Sequence, residues 1–459
     1  MSENILALQK LYDDNADNIV NGFYEFLRFK SISTEKEFAK DVRDCANWVE
    51  QFLSEAGLHT EQWETRGHPV VFAQNEQDTN KPTVLIYNHY DVQPVDPLEL
   101  WKSDPFVPTV RDGEVYARGA QDNKGQCWYV LNAIKLLKQR DGSLPVNIKL
   151  LIEGEEEAAS DGLTRIVSER AKQLAADHLL IVDLGFHHKL QPAVTLGIRG
   201  IAVMTMKLRG SSVDLHSGGH GGIAYNPNRA MSEMLASLYD KDGKVAVPGF
   251  YDDIKELSEQ ERAKIDFSFD KDFYKSTFGA EPTGGESKYS PAERCWLRPT
   301  VEINGIRGGY TGDGFKTVIP AETIAKISCR LVPGQNPKKI GDLVADFLKS
   351  KAPAGITADI EVHQGGGTAV VTSPDTPVVQ AAAQAYTELA GTECKFIMEG
   401  GSIPIVTELA KASGAEVVLL GYGLPGDLVH APNEHFGLDR LKKGFVTIGR
   451  ILELLGSGD

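Results

Sequence analysis

Four segments of this 459-residue chain end short apolar runs with groups that bind cations or move protons. Asn88-His89-Tyr90-Asp91 follows the run 83–87, Glu153-Gly154-Glu155-Glu156-Glu157 follows 147–152, and Asp183 follows 178–182. Near the C-terminus, Gly426-Asp427-Leu428-Val429-His430 follows the run 415–420 through a Gly-rich turn. A fifth segment, Arg118-Gly119-Ala120-Gln121-Asp122-Asn123-Lys124-Gly125, opens a helical pattern. Two imidazoles and several carboxylates converging on one sheet edge make a metal-site composition. Mixed His and carboxylate ligands suit zinc, manganese or cobalt, whereas an all-oxygen set suits magnesium or calcium. One carboxylate bridging two ions would give each ion one His, one private carboxylate and the shared one. A spare Glu beside a ligand Glu could then take the proton of an activated water. Taken singly, each group has a plainer role. His89 could cap or be solvated, 155–157 could be a solvated loop, Asp183 a helix cap, and Asp427 and His430 turn residues. Their joint placement at consecutive strand ends favours the metal reading, because open α/β sheets bind ligands at the carboxyl ends of their strands.

The elements that must position these groups are legible as periodicity. Helical patterns cover 5–30, 41–56 and 125–140, and the runs 70–73, 83–87, 147–152 and 178–182 have the length of buried strands. Strands alternating with helices predict an α/β fold with a mostly parallel sheet. The middle differs: 195–208 is β-rich, 226–239 reads as a helix, and 241–299 is polar, aromatic-spotted and irregular. A strand at 319–332 and a helix at 338–350 follow. The α/β rhythm resumes at 377–389, 415–420 and 441–455. The expected organisation is an α/β domain, 1–204 plus 371–459, interrupted by an inserted α+β domain at 205–370.

Composition narrows the partners. Forty-eight basic against 64 acidic residues give a net charge of -16, which disfavours nucleic acid and anionic lipid, both of which need clustered Lys and Arg. No apolar run is long enough to span a membrane. The five cysteines (Cys45, Cys127, Cys295, Cys329, Cys394) are odd in number and far apart. They read as reduced thiols of a cytoplasmic protein.

The motifs Asn88-His89-Tyr90-Asp91-Val92-Gln93-Pro94, Arg118 to Gly125 and Glu153 to Glu157 resemble the signature set of the di-metal metallopeptidases of carnosinase and cytosolic non-specific dipeptidase type. Aminoacylases, acetylornithine deacetylases and succinyl-diaminopimelate desuccinylases are relatives. The resemblance continues, in the family's order, through Asp214-Leu215-His216-Ser217-Gly218, Lys316-Thr317-Val318-Ile319-Pro320, Ser328-Cys329-Arg330-Leu331-Val332-Pro333 and Glu399-Gly400-Gly401-Ser402-Ile403-Pro404.

That resemblance implies two divalent ions per subunit, zinc first and manganese or cobalt as alternatives. His89 and Asp183 would hold one ion, Glu157 and His430 the other, and Asp122 would bridge both, with a cis Asp122–Asn123 peptide bond. Asp91 would orient the His89 ring, and Glu156 would be the general base. The inserted domain becomes a lid and dimerisation domain. Its His216 would reach the partner subunit's active site and stabilise the oxyanion. Arg330 and Thr317, the latter from the partner's lid, would hold the substrate's terminal carboxylate, and Ser402 would add a substrate contact.

Two departures stand out. His363-Gln364-Gly365-Gly366-Gly367 is one residue longer than the family's His-Gly-Gly motif, and Glu155 adds a carboxylate beside the base, where it could raise the pKa of Glu156. The expected activity is hydrolysis of dipeptides or short peptides with a free C-terminal carboxylate by a homodimer. Hydrolysis of N-acylated amino acids is the rival within the family, against which the elaboration at 241–299 speaks. A catalytically inactive binding protein is the rival outside it, against which the complete ligand set speaks.

Overall fold

The computed structural model describes residues 2–186, 191–363 and 366–457. The apolar runs become strands Val70–Gln74, Thr83–His89, Asn147–Glu153 and His178–Val182. The last three are buried almost throughout, as expected of parallel strands covered on both faces. Thr83–His89 pairs parallel with both Asn147–Glu153 and His178–Val182, and Glu416–Leu420 lies parallel to His178–Val182. Around this parallel centre, antiparallel pairings extend the sheet. Val70–Gln74 and His59–Trp63 flank one side, and Ala193–Ile198 joins Glu416–Leu420 on the other. Among the described residues the sheet has nine strands. Helices Lys124–Asp141, Pro377–Ala390 and Leu438–Ser457 cover one face with Tyr129, Leu137, Tyr386, Phe445 and Leu452. Ile405–Ser413 covers the other through Ile405, Val406 and Leu409. The fold is α/β, and its four adjacent parallel strands deliver their carboxyl ends to one edge.

A second sheet is antiparallel throughout. Its order is Thr300–Gly308, Glu322–Leu331, Gly200–Arg209, Thr357–Val362. Gly200–Arg209 alternates buried and half-buried positions. Its inward face packs Met204, Met206 and Leu208 against Met231, Met234, Val344 and Leu348 of helices Pro227–Ala236 and Pro337–Ser350.

Three stretches depart from the periodicity reading. The helical stretch 5–30 divides into Glu3–Asp13 and Ala16–Leu27, because Asp13-Asp14-Asn15 side chains compete for the backbone and favour caps over helix interiors. The region 195–208 is two strands in different sheets, joined at Arg199. The strand at 319–332 is interrupted by Pro320, which cannot donate to a ladder. Val318–Ile319 pairs with Leu215–His216 instead, while Glu322–Leu331 enters the four-stranded sheet. The irregular stretch 241–299 holds only short helices, Glu259–Ala263, Lys271–Phe278 and Pro291–Trp296. Its Ala292 and Trp296 join the large sheet's core, and Leu257, Ile265 and Phe267 pack against it. Part of the segment between strands Gly200–Arg209 and Thr300–Gly308 of the second sheet therefore rests on the large-sheet side. Among the described residues, no helix is long and apolar enough to cross a membrane.

Candidate metal centre

His89 ends its strand and Asp183 directly follows the neighbouring one, so parallel pairing alone sets them side by side. Asp122 arrives from the turn before helix Lys124–Asp141. Its Oδ1 lies 3.0 Å from His89 Nε2, and its Oδ2 lies 3.0 Å from His430 Nε2. Asp183 Oδ1 is 3.7 Å from His89 Nε2, and Glu157 Oε2 is 3.2 Å from His430 Nε2. Two ligand triads result, His89–Asp122–Asp183 and Asp122–Glu157–His430, each with its ligand atoms within 4.8 Å of one another and with Asp122 common to both. The Asp122–Asn123 peptide bond is cis.

Supporting groups fix these side chains. His89 Nδ1 faces Asp91 at 3.1 Å from its carbonyl and 3.3 Å from its carboxylate, which aims Nε2 at the two carboxylates. The Asp91 carboxylate also accepts from Ser33 Oγ at 2.6 Å and from the Glu156 and Glu157 amides at 3.2 and 3.0 Å. One buried group thus orients a ring and seats the turn that bears Glu156. Asn123 donates to Asp183 Oδ1 at 2.5 Å, and its own Oδ1 accepts from the His89 amide at 3.3 Å. Gln93 donates to Glu157 Oε2 at 2.7 Å. His430 holds a left-handed backbone, with φ 60°, as does Leu428 at φ 58°. Such conformations cost about 1–3 kcal/mol for a non-Gly residue and persist where the surroundings impose them. Here Asp427 anchors the turn, accepting from the Leu424 amide at 2.7 Å and from Arg440 at 2.5 Å.

The electrostatics are those of a cation site. Burial pushes the Asp122 carboxyl up, but hydrogen bonds from His430 and His89 outweigh burial and hold it well below its ordinary range. Burial, then the Asp122 charge, pushes Glu157 up to about 7. Burial also lifts Glu156 well above the carboxylate range; His89 opposes the shift, while Asp183, Glu157 and Asp122 add to it. Hydrogen bonds to Asp122 and Glu157 raise His430 to about 11. Four carboxylates and two imidazoles crowd one buried edge, and charge there is balanced by protons or by cations. The His430 side chain is 53% exposed while His89 is fully enclosed, so the cluster opens on the His430 side. The donor set, one imidazole and one private carboxylate per triad with a shared carboxylate, fits a pair of divalent ions.

The remaining sequence-predicted residues divide into two groups. Arg330, on strand Glu322–Leu331, donates through Nη1 to Ser402 Oγ at 2.9 Å, which joins the second sheet to the loop after strand Lys395–Glu399 of the large sheet. His216 and Thr317 sit instead on the exposed ribbon Leu215–His216/Val318–Ile319. There the His216 ring accepts from the Gly218 amide at 3.0 Å, and Thr317 O accepts from the Ser217 amide. No hydrogen bond or ion pair among the described residues joins either to the ligand cluster of its own chain. Glu155 turns away from the base: its Oε2 accepts from the Gly162 amide at 3.1 Å, and its carboxylate lies against Gly67. His363 Nε2 lies 2.7 Å from Thr205 Oγ1, within the four-stranded sheet. Gln364 and Gly365 lie outside the described residues.

Sequence reasoning missed Asn123, Gln93, Arg199 and Glu434. Arg199 binds the loop that carries Ser402, donating from Nε to Gly400 O at 2.9 Å and from its amide to Gly401 O at 3.0 Å. None of these groups stands at a strand end in an acidic or imidazole cluster, the signal that found His89, Glu157, Asp183 and His430. Asn123 alone was adjacent to a predicted ligand.

Comparison with known proteins places these features in context. The model of "Peptidase family M20/M25/M40" matches residues 85–454. A Cys-Gly metallodipeptidase of Schizosaccharomyces pombe is 30% identical over 96% of each chain. The human Beta-Ala-His dipeptidase is 34% identical over 80% of this chain and 73% of its own. Among solved structures, the M20 family metallo-carboxypeptidase Sso-CP2 from Sulfolobus solfataricus superposes with a TM-score of 0.87 at 34% identity, covering 96% of this chain and 99% of that one.

Proposed function

The chain belongs to peptidase family M20/M25/M40, and from that premise we propose that it hydrolyses dipeptides with a free C-terminal carboxylate. The single observation that carries the reading is Asp122, whose two carboxylate oxygens each face a different imidazole at 3.0 Å. His89 and Asp183 would hold one divalent ion and Glu157 and His430 the other, with Asp122 shared. Zinc is the first candidate, manganese and cobalt the next. When bound, the ions supply Lewis-acid polarisation of the scissile carbonyl and acidify the attacking water.

The chain's own residues do the rest. Glu156, half-buried and with its carboxyl pushed up by desolvation, accepts a proton from the attacking water and passes it to the leaving amine. Asp91 keeps the His89 ring and the Glu156 turn in register. Arg330 holds the terminal carboxylate, an anion that a guanidinium fork suits, and Ser402, hydrogen-bonded to Arg330, adds a substrate contact. His216 and Thr317 serve the partner's site across a homodimer formed by the inserted domain, 205–370, which acts as the lid. Their exposure in the protomer supports this assignment.

The test is a substrate screen on metal-stripped protein reloaded with zinc, manganese or cobalt. Dipeptides, tripeptides and N-acyl amino acids are compared side by side. Preferential turnover of dipeptides is the expected result. Preference for N-acyl amino acids would make the chain a deacylase, and no turnover with any metal would make it a binding protein.

A further inference from the structure

Glu434 is a carboxylate with no exposed surface, four residues beyond a proposed ligand and outside both triads. Its two oxygens accept four hydrogen bonds from a single turn. Oε1 receives the Gln121 and Asp122 amides, each at 3.0 Å. Oε2 receives the Gly119 amide at 2.9 Å and Arg118 Nη1 at 2.8 Å. Successive backbone N–H groups turned toward one anion form an anion-binding nest, and here the anion is a side chain of the chain itself. The approach is fixed from outside as well. The Ala117 amide donates to Glu434 O at 3.1 Å, and strand His435–Gly437 pairs antiparallel with Glu114–Tyr116, His435 opposite Tyr116. Asn433 ties the same segment to the 98–102 loop, accepting from the Lys102 amide at 2.8 Å and donating to Leu100 O at 2.9 Å.

We infer that Glu434 is the positioning residue for Asp122: it holds the 118–122 turn from below so that both Asp122 oxygens face the two imidazoles. Asp122 is gripped on its N-terminal side by Glu434 and on its C-terminal side by Asn123, whose side chain also reaches the His89 amide and Asp183. The five-residue run His430-Ala431-Pro432-Asn433-Glu434 therefore supplies one ligand and the clamp for the ligand that both ions share. A displaced Asp122 weakens both triads together, which loss of Glu157 or Asp183 alone would not do. The inference rests on the di-metal reading for its consequence, but not for the clamp itself.

Glu434→Gln is the discriminating variant. Whichever way the amide is turned, one of the two donor pairs then meets an NH2 group. Two readouts are taken. In the metal-free protein, hydrogen–deuterium exchange of the peptide covering 117–124 is compared with the rest of the chain. In protein titrated with Mn(II), the two affinities and the exchange-coupled electron paramagnetic resonance signal of a bridged pair are measured. The expected result is faster exchange confined to that peptide, roughly 10- to 100-fold weaker Mn(II) binding at both positions and loss of the coupled signal. Arg118→Lys, which leaves the three amide donors in place, is expected to keep both affinities within about threefold.

Unchanged exchange at 117–124, or an intact coupled signal in Glu434→Gln, would overturn the inference. So would an Arg118→Lys variant as impaired as Glu434→Gln, since the ion pair and not the amide clamp would then be at work. If Glu434→Gln does not fold, Glu434→Asp takes its place: it reaches fewer donors, and unaltered affinities there would equally overturn the claim. If the unmutated chain binds no Mn(II) pair, the di-metal reading fails, while the exchange experiment still decides whether Glu434 holds the turn.

Discussion

Around Asp122, the five proposed ligands and their supports come from one protomer and are held by partners within it. His89 is enclosed by carboxylates, and Asp91 and Asn123 are fully engaged. On the ribbon, the His216 and Thr317 side chains are exposed, and the His216 ring meets the neighbouring Gly218 amide. The adjoining loop carries Phe315, which is 104% exposed, and strand Thr300–Gly308 before it shows Ile303 and Ile306 to solvent. The first region is finished within the protomer. In the second, no hydrogen bond or ion pair among the described residues ties His216 or Thr317 to the ligand cluster, and apolar side chains are exposed beside them, which suits half of a shared interface. On this account the two regions form one site across two subunits.

The comparison breaks most visibly at Asp122. Asp122→Ala removes an oxygen from each triad and is expected to abolish hydrolysis with loss of both ions, measured by metal analysis after gel filtration. One ion retained with activity intact would dissolve the claim that the first region is a single bridged unit. Glu156→Gln should keep both ions and the melting temperature while lowering kcat by about 10²–10⁴-fold, because Gln cannot accept the proton. Glu157→Gln should instead lower metal affinity; reversed phenotypes would place base and ligand one residue out of register.

Arg330 lies outside both regions, hydrogen-bonded to Ser402. Arg330→Ala is expected to erase most of the preference for C-terminal acids over amides, a loss of about 2–5 kcal/mol in kcat/KM, read from paired substrates. Equal turnover of acid and amide by the unmutated enzyme would remove the argument for the clamp. The smallest effect belongs to the exposed loop. Phe315→Ser should leave protomer stability within about 0.5 kcal/mol in denaturant titration, yet weaken self-association in analytical ultracentrifugation.

The sequence made one of these regions far more legible than the other. Continuous apolar runs identified Thr83–His89, Asn147–Glu153 and His178–Val182, and parallel strands must present His89, the 153–157 segment and Asp183 at one edge. Lys395–Glu399 escaped notice because its charged ends and half-buried Phe396 break the apolar signal. Ala193–Ile198 and Gly200–Arg209 read as one region because a single residue, Arg199, separates two sheets. Supports such as Glu434, which accepts from a backbone turn, and Gln93, which donates to the Glu157 carboxylate, meet partners that only the folded chain brings together, so no periodicity announces them. For His216 and Thr317, motif resemblance alone supplied a role, since neither stands in a cluster with other chemistry-bearing residues of the chain.

The claim that the two regions complete one another is tested most directly by mixing two inactive variants. Glu156→Gln protomers lack the base but keep a normal ribbon, and His216→Ala protomers are the reverse. Each homodimer should be nearly inactive. A heterodimer has one site that pairs an intact base with an intact His216 and one site that lacks both. With equal amounts and exchange verified by mass spectrometry of tagged protomers, activity is predicted to recover to about a quarter of the unmutated level for a closed two-fold dimer. No recovery after verified exchange would contradict the account and return His216 to its own subunit, or remove it from the site.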